Sequence, residues 1–137
     1  MDHDLERFVR GQQGVYEGAL EELRRGGKHG HWMWFVLPQL EGLGRSPMAQ
    51  RYGIRSLAEA RAYLDHPVLG TRLRACFEAL LGVEGRTASQ IMGEVDAMKL
   101  RSSATLFHRA APEEPLFRRV LERYFDGIED PATDARL

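Results

Sequence analysis

One cysteine, Cys76, stands among 137 residues, so the chain can form no internal disulfide and no multi-cysteine metal site. Cys76 lies at helical spacing from Leu73, Phe77 and Leu80, the setting of a buried structural thiol. Charge of either sign is not in excess. A formal net charge of −1 provides no electrostatic footprint for nucleic acid or an anionic membrane. No apolar run approaches a bilayer-spanning length, and the start, from Met1 to Arg7, lacks the basic and apolar regions of a signal peptide. These absences predict a cytoplasmic monomer or weak dimer with no evident nucleic-acid or membrane partner. His29 and His31 are too few to hold a metal, no acidic residue lies near them at chelating spacing, and no cofactor is called for.

What is present is ordinary globular material, with 43% hydrophobic and 28% charged residues. It fits one domain over 1–137. The apolar residues from Leu5 to Leu23 follow a 3.6-residue stripe, predicting a first helix over 4–25 capped by Asp2 or Asp4 and stopped by Gly26-Gly27. Trp32 to Leu37 contains no polar side chain and must be buried. Its length allows strand or helix; the lack of a strong strand partner elsewhere favours a short helix ending near Pro38. Ser46-Pro47, the Ser56–Glu59 capping box and the Thr87–Gln90 capping box mark three further helix starts. Leu69 to Leu81, Glu94 to Ala110 and Leu116 to Phe125 carry apolar faces at helical spacing. The expectation is one all-α domain of six or seven short helices with a frayed tail over 129–137.

Chemistry-bearing residues gather in Lys28 to Pro47. Trp32 and Trp34 are two apart, so on a helix they project about 200° from one another. One belongs to the core, and the other can stack on a base. Trp32, beside His31, is the stacking candidate and Trp34 the core ring. His31 is a candidate general acid or base, with Lys28 close by as a ligand contact. Gly42-Leu43-Gly44-Arg45-Ser46-Pro47 joins a flexible turn, a cation and a helix start, which suits an anion and equally suits a plain tight turn. Further along, Asp96, Lys99, Ser103 and Phe107 fall at i, i+3, i+7 and i+11 and share one helical face. There Asp96 can act as base or accept sugar hydroxyls, and Lys99 and Ser103 can bind substrate. An intrahelical salt bridge accounts for the same spacing.

Arg7-Phe8, His31-Trp32-Met33-Trp34, Pro38-Gln39, Tyr52-Gly53-Ile54, His66-Pro67-Val68-Leu69-Gly70, Arg72-Leu73, and Asp96 with Lys99-Leu100-Arg101-Ser102-Ser103 resemble the bacterial domain-of-unknown-function family 1810. Members of that family have been labelled calpastatin, but this chain has no disordered inhibitory repeats. The resemblance implies a small all-helical fold and no established activity. Glu59, the run from Pro67 to Arg72 and the helix around Lys99 also resemble the all-helical NADAR glycosidases, which handle ADP-ribose, and so point to a ligand class.

Two functional readings follow. In one, a nucleotide-like ligand of the ADP-ribose type is bound or hydrolysed beside the His-Trp-Met-Trp stretch. An aromatic ring would take the base, Arg45, Arg72 or Lys99 the phosphate, and Asp96 the ribose or a water. In the other, the protein is a non-catalytic helical interaction module whose polar residues hold helices in register. Convergence of His31, Arg72, Asp96 and Lys99 on one concavity would separate them.

Overall fold

The computed structural model describes residues 3–137. Among them it shows nine helices: α1 Glu6–Gln12, α2 Tyr16–Arg24, α3 Met33–Val36, α4 Pro47–Tyr52, α5 Leu57–Asp65, α6 Leu69–Leu81, α7 Ala88–Ala110, α8 Pro115–Phe125 and α9 Pro131–Arg136. The all-helical expectation holds; the number six or seven does not. A single parallel bridge, Leu40 to Ile54, is the sole β pairing among the described residues.

Two local causes raise the helix number. The expected first helix divides at Gln13-Gly14, where Gly14 takes φ +74° and turns the chain between α1 and α2. Asp2 lies outside the described residues, and Asp4 is not the cap: Leu5 occupies that position without a side-chain hydrogen bond. The tail expected to fray carries α9 instead. Asp130 caps it by accepting from the Thr133 amide at 3.0 Å and the Thr133 hydroxyl at 2.5 Å, and it also accepts from Ser102 Oγ at 3.0 Å. Arg101 adds bonds from Nε and Nη2 to the Ile128 and Glu129 carbonyls, both at 2.8 Å. Satisfied backbone groups and a cap replace the hydrophobic anchor that the tail lacks.

The longest element, α7, packs against α5, α8 and α9. Its Thr87 and Gln90 form the complete capping box, and Gly93, at φ +83°, kinks it one turn in. An aromatic chain threads the core: Phe8 to Tyr63 at 5.1 Å, Tyr63 to Phe107 at 5.5 Å, Phe107 to Phe117 at 5.7 Å, and Phe117 to Phe77 at 5.0 Å between centroids. These offset and edge contacts tie α1, α5, α7, α8 and α6 into one interior.

Buried polar groups fix how α1 meets its neighbours. Arg7, 4% exposed, pairs with Glu59, 1% exposed, at 2.8 Å, and also donates to the Arg51 and Gly53 carbonyls, each at 2.9 Å. Glu59 therefore serves this pair and the Arg55 amide, and the expected Ser56–Glu59 box is only half formed, by Ser56 Oγ accepting from the Glu59 amide. Gln12 donates to the Phe35 carbonyl at 2.7 Å and to Tyr63 Oη at 3.1 Å. That bond holds α3, and with it the tryptophan stretch, against the core.

Candidate functional site

The glycines after α2 let the chain reverse and run back toward α7. Gly26 takes φ +72°, and the Lys28 amide donates to the Ile91 carbonyl at 2.7 Å. Glu22, in the last turn of α2, then organises the loop: its Oε1 accepts from the His29 and Gly30 amides at 2.8 and 2.9 Å and from Trp32 Nε1 at 3.0 Å. Burial acts to raise its pKa, but the Gly30 and His29 amides and the indole outweigh it and hold the group below the usual glutamate value. No feature near Glu22 in the sequence marks it, because its partners lie seven to ten residues ahead.

This loop delivers Lys28 to Asp96. Lys28 Nζ lies 2.8 Å from Asp96 Oδ2, donates to the Gly30 carbonyl at 2.5 Å, and stands 4.7 Å from the centre of the Trp32 ring. With its side chain only 6% exposed, Lys28 has three commitments and little access to solvent. Lys99 approaches the other carboxylate oxygen at 3.7 Å and stands 5.1 Å from the Trp34 ring. One carboxylate thus lies between two ammonium groups, each over an indole face.

The two tryptophans exchange their expected roles. Trp32 is 2% exposed, because it precedes α3 and its indole reaches back to Glu22. Trp34 is half-buried and lines a crevice with Met33, Leu37, Gln39, Tyr52 and Lys99. This crevice has room for about 10 Å³, no more than one water. Sharing its Gln39 and Lys99 edge is a wider, mainly apolar cleft of about 260 Å³, walled by Leu43, Gly44, Val95 and Met98. Val95 and Met98, read from sequence as part of an apolar helix face, are 68% and 72% exposed. Gly44 is needed there: an added Cβ would stand 2.7 Å from that of Ala49.

Lys28, Trp32, Asp96 and Lys99 therefore come together, and the remaining candidates do not join them. His31 is exposed and lines neither crevice nor cleft. Arg72 lies elsewhere, donating to Gln12 Oε1 at 3.2 Å and stacked 4.7 Å from the Tyr16 ring. Arg45 is exposed beside the cleft, and the turn that carries it leads into the six-residue α4, whose first turn is capped by Ser46. Ser103 is fully buried, and its Oγ has no hydrogen-bond partner among the described residues. His66 is a helix-boundary residue: its Nδ1 accepts from the Val68 and Leu69 amides at 3.1 and 3.2 Å. Burial pushes the Cys76 thiol up to about 12, which fits a structural role.

No curated protein matches the chain. The crystal structure of the conserved hypothetical protein Rv1873 from Mycobacterium tuberculosis is similar to it at 53% identity and a TM-score of 0.96, covering 98% of this chain and 96% of that one. The family model described as protein of unknown function (DUF1810) matches residues 2–137. The chain belongs to the DUF1810 family.

Proposed function

We propose that the protein binds a nucleotide-like ligand of the ADP-ribose type at the cleft beside Trp34 and Lys99. The observation that supports this most directly is Lys99, which stands 3.7 Å from Asp96 in the Lys28–Asp96–Lys99 cluster and sets an accessible ammonium on the wall of a mainly apolar cleft. Lys28 holds Asp96 in place, while Lys99, 23% exposed and lining both crevice and cleft, faces the ligand. Leu43, Val95 and Met98 offer a surface for a flat ring, and Trp34 lies behind Lys99, 5.1 Å from its ammonium, in the adjoining crevice. At about 260 Å³ the cleft falls just below the ~300 Å³ usual for small-ligand sites, so it takes one end of such a ligand and leaves the rest in solvent. Arg45, next to Gly44, is the cation nearest in sequence to that open side.

The resemblance to the NADAR glycosidases supports ribosyl chemistry within this reading. Asp96 is 21% exposed, and its carboxylate, on the side of the looser Lys99 contact, would stabilise positive charge growing on the ribose carbon as the bond to the base breaks. Water adds to that carbon, its proton passes to solvent, and the base leaves with its bonding electrons. His31, exposed at the start of the same stretch, would serve as a further acid or base.

Titration with ADP-ribose, NAD and AMP, followed by tryptophan emission and melting temperature, tests the reading. Stabilisation of about 2.7 kcal/mol is expected at a ligand concentration a hundred times Kd, and Lys99→Met should abolish it. Should no nucleotide move either signal, the non-catalytic interaction module is the better account. For catalysis, Asp96→Asn should lower turnover of a ribosyl substrate while preserving binding, and Lys99→Met should chiefly raise KM.

A further inference from the structure

Between the end of α2 and the first turn of α7, a further concavity of about 490 Å³ opens to solvent. Arg25, His29 and Arg86 line it, with the Gly26-Gly27 backbone and Gln90, and among the described residues no carboxylate contributes to its wall. Lys28 also lines it, with its ammonium committed to Asp96 at 2.8 Å. The one nearby carboxylate that shapes this loop, Glu22, is occupied by two amides and an indole.

Of the basic groups, Arg86 is held in position. An added Cβ on Gly26 would stand 3.3 Å from Arg86 Cδ and 3.0 Å from Val83 Cγ1, so the bare glycine is what lets the Arg86 stem lie across the turn. The Arg86 head is fixed by donation from Nη2 to the Gln90 carbonyl at 2.8 Å, leaving its other donors open. His29 folds back so that Nε2 lies 3.8 Å from the site of a Cβ on Gly27. Arg25 has no side-chain partner among the described residues. Like charges gathered round one hollow repel each other, and the repulsion is relieved when an anion enters. Guanidinium forks match phosphoryl oxygens in geometry as well as charge.

We propose that this hollow is a phosphoryl-binding site, separate from the cleft at Lys99 and recognised through Arg25 and Arg86. The phosphoryl group would come either from a free oligophosphate or from the phosphate end of a longer ligand. The site does not depend on the function proposed above.

Calorimetric titration of the whole chain with inorganic pyrophosphate at low salt tests it. Binding should weaken as salt is raised. Arg25→Gln and Arg86→Gln should each reduce affinity about tenfold, whereas Asp96→Asn and Lys99→Met should leave it within about twofold. Arg86→Lys, which keeps charge and stem, should recover part of the loss, and exposed Arg25 can be replaced without disturbing the core. An absence of binding by the parent, equal binding by Arg25→Gln and Arg86→Gln, or loss on Lys99→Met would each overturn the assignment. With the site established, adding ADP-ribose identifies the source. Displacement of pyrophosphate marks the phosphate end of that ligand, and simultaneous binding marks an independent oligophosphate site.

Discussion

Replacing Lys28 with methionine should cost much more stability than the same change at Lys99, although both lysines pair with Asp96. Lys28→Met keeps most of the aliphatic stem but removes a 2.8 Å ion pair, a 2.5 Å bond to the Gly30 carbonyl and a cation 4.7 Å from the Trp32 ring. Charge-assisted hydrogen bonds contribute about 1.5–3 kcal/mol and a partly desolvated cation–π contact about 0.5–1. Release from burying an ammonium offsets part of this, leaving a net loss of about 2–3 kcal/mol. Lys99 sits 3.7 Å from Asp96 and is 23% exposed, so Lys99→Met should cost less than about 1 kcal/mol. Urea denaturation resolves the difference: at a slope of roughly 2 kcal/mol per molar, the Lys28 variant should unfold about 1–1.5 M earlier. A double-mutant cycle with Asp96→Asn should give strong coupling to Lys28 and little to Lys99. Equal losses at the two lysines, or coupling confined to Lys99, would refute the division into one holding lysine and one ligand-facing lysine.

Phe77→Ala should cost about 3–5 kcal/mol, since Phe77 is fully buried against Phe117, and Trp32→Ala should cost more than Trp34→Ala in the same denaturation assay. Glu22 has a folded pKa below its usual 4.5, so its contribution is present above that value and lost as pH falls through the folded pKa. The stability difference between the parent and Glu22→Gln should therefore be flat at neutral pH and shrink in acid, as followed by melting temperature. With its thiol buried and raised to about 12, Cys76 should resist alkylation at pH 8 in the folded protein and react on denaturation, as counted by mass spectrometry.

Helix placement was legible wherever a local rule acts alone. Ser46, Thr87 and His66 cap or close helices where their neighbours in sequence require it, and Gly26 reverses the chain at a positive φ. The split at Gly14 was not legible, because glycines at 11, 14 and 18 look alike in sequence. Of these only Gly11 is packed tightly, with an added Cβ 3.0 Å from the Phe35 ring, and only Gly14 takes a positive φ. Helix α9 was hidden for a different reason. Its anchor is polar and comes from α7, through Ser102, Thr105 and Arg101, and hydrophobic periodicity carries no trace of such a partner.

The site divides along the same line. Asp96 with Lys99 was readable because i and i+3 on one helix must be neighbours. Lys28 joins them across 68 residues of chain only because Glu22 gathers the His29 and Gly30 amides and thereby aims the loop at α7. Once Glu22 takes the Trp32 indole as well, Trp32 is held inward ahead of α3, and Trp34, inside α3, is the indole left beside Lys99. The reversal of the two tryptophans thus follows from one carboxylate in α2. It also connects the two concavities: the loop that places Lys28 on Asp96 is the loop that lays Gly26, Gly27 and His29 beside Arg86. Both placements run through the loop that Glu22 gathers, so Glu22→Gln should weaken pyrophosphate and nucleotide binding together, while Lys99→Met should affect the nucleotide alone. Parallel titrations of these two variants with both probes would show whether one loop organises both sites. Pyrophosphate binding that is indifferent to Glu22→Gln would break that connection.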